Sequence, residues 1–165
     1  MEAFIITSTA GFAVMAAYIV AMLAKHGIQA TVSDNFYVSR HKWLFSAATA
    51  LYALLSLPAM LEAGGVQCLA FLAAAGLMLV AAEPHFHSPW GRKLHIGGAV
   101  AALACGLAWA CTVQWEPVVL TAVAYLYYAV IAWRSKRPSE MYPLYIGECA
   151  AVLAIFIALL CGLQQ

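Results

Sequence analysis

Residues 92–113 read RKLHIGGAVAALACGLAWACTV, two cations followed by a run without any Asp, Glu, Lys or Arg. A helix that crosses the hydrocarbon core of a bilayer needs about 20 mostly apolar residues. This stretch has that length and that composition. It therefore predicts a membrane-spanning helix that begins beside a cationic loop.

Five further apolar runs flank this one, with short polar segments between them. The predicted spans are about 3–24, 43–61, 66–82, 94–113, 117–133 and 142–163. The third is the shortest and lies at the low edge of spanning length. We therefore expect an all-α fold, a polytopic six-helix transmembrane bundle, in which residues 1–165 form a single transmembrane domain.

The cationic residues predict how the bundle is oriented. All eight Lys and Arg residues lie in three alternate loops, within residues 25–42, 92–93 and 134–137. The two loops between them carry only the acids Glu62 and Glu116. Because cationic loops stay in the cytoplasm during insertion, we expect an N-out/C-out topology in a bacterial inner (cytoplasmic) membrane.

The composition argues against a soluble protein and against nucleic-acid binding. The chain is 65% hydrophobic and only 9% charged, whereas soluble domains have about 25% charged residues. A net charge of +1 offers nucleic acid no basic surface. The first apolar run is too long for a secretory signal and no cation precedes it, so we interpret it as the first span.

The five cysteines form no C-x-x-C pair, which argues against a zinc ribbon or a redox motif. Cys68, Cys111 and Cys161 fall near the predicted outer face, where a disulfide would persist in an oxidising compartment. Their odd total number and mixed depths favour a packing role instead.

Small residues recur at every fourth position of three predicted helices. The three sets are Thr9, Ala13, Ala17 and Ala21; Gly98, Ala102, Gly106 and Ala110; and Ala150, Ala154, Ala158 and Gly162. Since close backbone approach drives helix packing in lipid, these stripes place helices one, four and six near the centre of the bundle. Chance in an alanine-rich chain is the alternative, and the same faces could join copies in a homo-oligomer.

Side chains capable of acid, base or metal chemistry concentrate on the predicted cytoplasmic half. They are His26, Asp34, His41, Glu83, His85, His87, His95, Glu140 and Glu148. The outer half has only Glu2, Glu62 and Glu116. Any polar site is therefore expected to open towards the cytoplasm.

Glu148 is the sharpest indication of a site, because it lies about two turns inside the last apolar run. A charged acid in hydrocarbon costs about 2.5–3.5 kcal/mol, so it should face a partner or a cavity. His95 lies at a similar depth, and we predict that the two face each other at the floor of a ligand pocket. Asp34 is placed near its mouth, and Tyr145 is assigned to the same pocket. A structural Glu–His bond that locks two helices is an equal alternative.

The segment between the third and fourth runs suggests a metal site. It contains His85 and His87, and His95 follows at the start of the next helix. Three protein ligands plus a water are typical of catalytic zinc, the one cofactor that the sequence suggests. The spacing matches no standard zinc signature, so solvated histidines at headgroup level are the preferred interpretation.

The longest predicted loop contains a polar triplet followed by two aromatics, Val32-Ser33-Asp34-Asn35-Phe36-Tyr37. One interpretation is a lid that returns the aromatics to membrane depth. The slightly preferred one is an Asx-type turn with an interfacial aromatic anchor.

Three segments resemble those of small bacterial membrane proteins of the Frag1-like type. They are Val32-Ser33-Asp34-Asn35-Phe36-Tyr37, Glu83-Pro84-His85 and Leu94-His95-Ile96-Gly97-Gly98. That group is distantly similar to the CREST superfamily of membrane hydrolases and receptors, whose members use Ser, Asp and three His around zinc to cleave lipid amides. This chain departs from the hydrolase pattern. It lacks a seventh helix and a final His-x-x-x-His pair, where Glu148 stands instead.

Three functional hypotheses follow, with catalysis itself left open. The first is a membrane protein that binds a membrane lipid or small amphiphile in a cytoplasm-facing pocket around Asp34, His95 and Glu148. The second is a metal-dependent lipid hydrolase with His85, His87 and His95 as ligands and Glu148 or Asp34 as general base. The third is a proton-coupled small-molecule carrier in which Glu148 and His95 titrate.

Overall fold

The computed structural model describes residues 2–85, 88–135 and 142–164, and within these ranges it contains helices, turns and loops but no strand. The helices are α1 (Glu2–His26), α2 (Asn35–Val38), α3 (Trp43–Glu62), α4 (Gln67–Ala82), α5 (Pro89–Val113), α6 (Trp115–Arg134) and α7 (Pro143–Gly162). A 3-10 turn, Val32–Asp34, leads directly into α2. The predicted all-α class is confirmed, and each predicted span coincides with a helix.

Five helices, α1, α3, α5, α6 and α7, are long and apolar enough to cross a membrane. The remaining apolar helix, α4, has 16 residues and lies between α3 and α5. Packing follows the chain, since α1 contacts α3, α3 contacts α4, and α4 contacts α5. Helix α7 then packs against both α5 and α6. Helices α5 and α7, which carry His95 and Glu148, therefore lie side by side.

Two helices begin earlier than predicted. Helix α5 begins at Pro89 rather than at residue 94, because Ser88 Oγ accepts a hydrogen bond from the Gly91 N–H at 3.0 Å and caps the helix. Helix α6 begins at Trp115 rather than at Pro117, which lies in the first helical turn, where a missing N–H costs nothing. The predicted starts of these two helices were wrong, because the start of α5 was placed after Lys93 and the start of α6 at Pro117.

The glycine stripe of α5 packs as predicted. A Cβ atom placed on Gly98 would lie 2.8 Å from the Gly76 carbonyl oxygen of α4, and one on Gly106 would lie 2.7 Å from Ile155 Cδ1 of α7. Ala102 and Ala110 of the same stripe are also buried. Helix α5 is therefore central, with a neighbour on each side at close backbone distance.

The predicted stripe of α1 is wrong. Its small residues Thr9, Ala13, Ala17 and Ala21 are exposed. The buried face consists instead of Ser8, Gly11, Met15, Tyr18 and Met22, and it packs on α3. Gly11 shows how close that contact is, because a Cβ there would lie 3.0 Å from Leu55 Cβ. Helix α1 thus lies at the edge of the bundle rather than at its centre.

The core divides into two clusters along the length of the bundle. One surrounds Trp109, which is fully buried and donates its indole N–H to the Gly64 carbonyl at 3.0 Å. The other surrounds Phe45 and includes Phe36 from the segment between α1 and α3. That second cluster adjoins the candidate site, because a residue from the connecting loop contributes to it.

Candidate functional site

The segment of residues 31–37, here called the returning loop, is folded by its own side chains. Thr31 Oγ1 accepts from the Asp34 N–H at 3.1 Å, and Asp34 Oδ2 accepts from the Thr31 N–H at 2.9 Å. This reciprocal arrangement is a capping box, and it starts the helical turn that continues into α2. The Asp34 carboxylate, predicted at the mouth of the ligand pocket, therefore serves as a cap within the loop.

The returning loop enters the bundle instead of lying on it. Phe36 is 2% exposed, and Asn35 is fully buried. Asn35 Nδ2 donates to Tyr145 Oη of α7 at 3.5 Å, a long hydrogen bond between two buried side chains. The preferred prediction, an Asx-type turn with an interfacial anchor, is wrong, because Asp34 accepts from the preceding Thr31 N–H in a capping box and Phe36 is a core residue. Tyr145 holds the loop and does not line the cavity described below.

His95 anchors the returning loop to α5 through both ring nitrogens. Its Nδ1 lies 3.0 Å from the Glu83 carbonyl oxygen, and its Nε2 lies 2.9 Å from Ser33 Oγ. A carbonyl oxygen only accepts, so Nδ1 carries the proton. In the neutral ring Nε2 is then the acceptor, and Ser33 donates its hydroxyl proton to it. The imidazole is almost completely buried.

Glu148 binds the same loop from the opposite side. Its Oε2 accepts a hydrogen bond from the Val32 N–H at 2.6 Å. Since Ser33 is the next residue along the chain, the peptide between Val32 and Ser33 links Glu148 to His95. The two predicted site residues are thus brought to one place, with the loop between them as the link.

A cavity of about 320 Å³ opens beside this link, between α5 and α7. Its polar end consists of Thr31, Ser33, His95 and Glu148, and its walls of Ile96, Ala99, Val100, Leu103 and Leu144. Ile96, Val100 and Leu144 are each at least half exposed, so the cavity opens sideways on the outer surface of the bundle. Its volume falls within the range of small-molecule sites.

A second cavity of about 280 Å³ extends the first along α5, α6 and α7. The two share Leu103, Leu144 and Glu148. The walls of the second are otherwise apolar apart from Thr121 and Tyr125. From His95 to Leu107 the α5 wall spans about 18 Å, at about 1.5 Å per residue. Together the two cavities form an elongated groove, in which most of the polar side chains line the first cavity.

Of the three predicted zinc ligands, the structure describes only His85 and His95. His87 lies outside the described residues, and the His85 ring packs edge-on against Phe36 with centroids 5.0 Å apart. Zinc needs a ring nitrogen lone pair, and at His95 it could obtain one only by displacing Ser33 from Nε2. Within residues 2–85, 88–135 and 142–164 no three His, Cys, Asp or Glu side chains converge. The zinc site stays a prediction, and no step below runs through a metal.

Sequence reasoning missed several partners at the site. Ser33 was noted only as part of a polar triplet, and Asn35 only as a turn residue. The Val32 N–H has no signature in the sequence. The proline at Pro84 was the one available signal, because it stops α4 and leaves the Glu83 carbonyl without a helical donor. All five cysteines are free thiols.

The fold and its apolar surface define the class: this is a multi-pass membrane protein with a polar site between two helices. Comparison with protein-family models, with characterised proteins and with solved structures gives no match.

Proposed function

We propose that the chain crosses a bacterial inner membrane six times, N-out/C-out, and binds a membrane lipid or small amphiphile in the groove between α5 and α7. For α4 to be a span, its length of about 24 Å must cross a core of about 30 Å. Its central place between α3 and α5 supports this, because neighbouring helices can shelter a short span and the bilayer can thin locally.

Reporter fusions test the topology directly. A fusion after Arg137 should report a cytoplasmic location, and one after Gln165 should report the opposite side, because the cationic loops stay inside. Trp43, Trp90 and Trp133 flank those loops and are strongly exposed, as interfacial anchors would be. Two fusions on the same side would refute six crossings.

The shape of the groove carries the proposal of an amphiphilic ligand. Most of the hydrogen-bonding side chains, Thr31, Ser33, His95 and Glu148, line the first cavity, and the second is apolar apart from Glu148, Thr121 and Tyr125. A headgroup can bond to Ser33 or Glu148 while its hydrocarbon chain covers Leu103 and Leu107. The opening lies on the lipid-facing surface, so a ligand dissolved in the bilayer could enter without passing through water.

The charge of the groove narrows the class of ligand. Among the lining residues that lie in the described part of the chain, Glu148 is the one carboxylate and none is Lys or Arg. When Glu148 is ionised, an anionic headgroup beside it would suffer like-charge repulsion in a medium of low dielectric constant. We therefore expect neutral or cationic amphiphiles to bind in preference to fatty acids.

A photoreactive C10 alcohol, its diazirine on the alkyl chain, tests binding in lipid nanodiscs. Mass spectrometry should find crosslinks on the lining residues of α5 and α7. The Ala99→Phe change fills the groove and should reduce crosslinking about tenfold. Ala104→Phe is the matched control, because Ala104 is exposed on the same helix and does not line the groove.

Competition with the unlabelled C10 alcohol, amine and carboxylate then tests the charge argument. The amine and the alcohol should compete at least ten times better than the carboxylate. Crosslinks spread evenly over the lipid-facing surface, or an equal effect of Ala99→Phe and Ala104→Phe, would refute a groove ligand. Membership of the Frag1-like group, homo-oligomer formation, the zinc hydrolase and the proton-coupled carrier all stay predictions.

A further inference from the structure

Ser33 and His95 have the geometry of a nucleophile and its general base. The Ser33 Oγ to His95 Nε2 distance is 2.9 Å, within the 2.6–3.2 Å that proton transfer requires. The Glu83 carbonyl holds the ring in the tautomer in which Nε2 accepts the hydroxyl proton of Ser33. An orienting third group of this kind is the usual support for such a pair.

The hydroxyl is placed where a substrate could reach it. Ser33 is half-buried and lines the 320 Å³ cavity together with His95, whereas His95 itself is buried behind it. Ser33 is the second residue of a 3-10 turn, which Thr31 and Asp34 fix by their capping box. The pair is thus held rigidly at the polar end of an apolar groove.

We propose that Ser33 is an acyl-accepting nucleophile and that His95 is its general base, acting without a metal on carboxylic esters of amphiphiles bound in the groove. This inference rests on the proposed amphiphile binding, because the groove supplies the substrate. His95 and Ser33 are catalytic residues in this proposal. The Glu83 carbonyl, which touches only the imidazole, is a positioning group.

The chemical step balances with water as the only co-reactant. Ser33 Oγ attacks the ester carbonyl carbon while His95 Nε2 takes the hydroxyl proton, and a new C–O bond forms. The alkoxide leaves as the old C–O bond breaks, and His95 returns the proton to give an alcohol. Water then attacks acyl-Ser33 in the same manner, which releases a carboxylic acid and restores the hydroxyl.

A fluorophosphonate with a decyl chain tests this proposal on the full-length protein in nanodiscs. Ser33 should attack phosphorus with loss of fluoride, and the labelled peptide should contain Ser33. His95→Gln should slow labelling about 100-fold or more, the usual contribution of a general base. Ser56→Ala is the matched control, because Ser56 is a buried serine of α3 without His95 beside it, and its labelling should equal that of the wild type.

The outcomes separate this inference from the function on which it rests. Crosslinking of the C10 alcohol in the groove without labelling of Ser33 would overturn the nucleophile and leave amphiphile binding intact. Loss of crosslinking as well would overturn both. Labelling of Ser33 that His95→Gln leaves unchanged would refute the general base. Labelling that a chelator abolishes would replace the metal-free pair with a metal-dependent site.

Labelling of the wild-type protein identifies the nucleophile, whether or not a Ser33→Ala variant folds. The site of labelling is read from the wild-type peptide map, so no variant is needed to locate the nucleophile. Hydrolysis of p-nitrophenyl decanoate gives a second readout. It should proceed in wild type with an initial burst of nitrophenol if acyl-Ser33 accumulates, and absence of turnover together with absence of label would refute the proposal.

Discussion

Replacement of Gly98 by Ala should separate α4 from α5. The added Cβ would lie 2.8 Å from the Gly76 carbonyl oxygen and 2.9 Å from Leu79 Cβ. Distances under 3.0 Å require movement, and one of these atoms belongs to the helix backbone, which cannot rotate away. Overpacking of this kind costs about 1–3 kcal/mol of unfolding free energy.

Gly97 is the matched control, because it is the adjacent residue of the same helix. A Cβ there meets nothing within 4 Å, and the residue is exposed. Gly97→Ala should be neutral or stabilise the helix by up to about 1 kcal/mol, since Ala has the higher helix propensity. The two variants should therefore differ by about 1–4 kcal/mol.

Thermal unfolding in detergent measures this difference. For a chain of this size 1 kcal/mol corresponds to roughly 2–4 °C in Tm, so the Tm values of the two variants should differ by roughly 2–16 °C. Fluorescence of the buried Trp109 provides a probe close to the α4–α5 contact. Equal Tm values for Gly98→Ala and Gly97→Ala would show that the helices adjust freely and would refute the close-contact argument.

Two further predictions concern single hydrogen bonds, both measured by thermal unfolding in detergent. Glu148→Leu removes the acceptor of the Val32 N–H and should lower the free energy of unfolding by about 1–3 kcal/mol. Glu148→Gln keeps a carbonyl acceptor and should lower it by less than half as much. Equal losses for the two variants would mean that this hydrogen bond contributes nothing. Trp109→Phe removes the donor to the Gly64 carbonyl and should cost about 1–3 kcal/mol. Trp133→Phe, at a position that is 85% exposed, should stay within about 0.5 kcal/mol of wild type. A loss as large as that of Trp109→Phe would contradict the role given to the Trp109–Gly64 hydrogen bond.

The positions of the long helices could be predicted because the bilayer sets their length. Apolar runs and cationic loops together located every one of them to within a few residues. The ends of the helices were harder to predict, because a cap is a local hydrogen bond between one side chain and one N–H. At α5 the cap is Ser88, six residues before the predicted start, and Arg92 and Lys93 lie on the helix itself.

The packing faces were only partly predictable. Gly98 and Gly106 face neighbouring helices, and glycine in a span has few other roles. The alanines of α1 face outwards, because alanine suits lipid as well as a helix contact. A residue that is acceptable in both environments cannot indicate which one it occupies. The buried face of α1 therefore had to be found from its partner α3.

Two side chains near the candidate site, His95 and Glu148, were expected from the sequence, but their bonds were not. His95 and Glu148 were expected together, and they do meet at one loop. Their partners include the Glu83 carbonyl and the Val32 N–H, which are backbone groups that nearly every residue possesses. Only the folded course of the returning loop selects those two. For the same reason the role of Ser33 became visible only beside His95.

The attachment of the returning loop to α7 has a consequence for biogenesis. Val32 and Glu148 are 116 residues apart in sequence, and Asn35 and Tyr145 are 110 apart. The loop leaves the ribosome just after α1, whereas its partners Glu148 and Tyr145 emerge only with α7. Until then its Val32 N–H and its buried Asn35 lack those bonds. The site is therefore assembled only once α7 has been made, and a chain truncated before α7 should carry an open loop that proteases can reach.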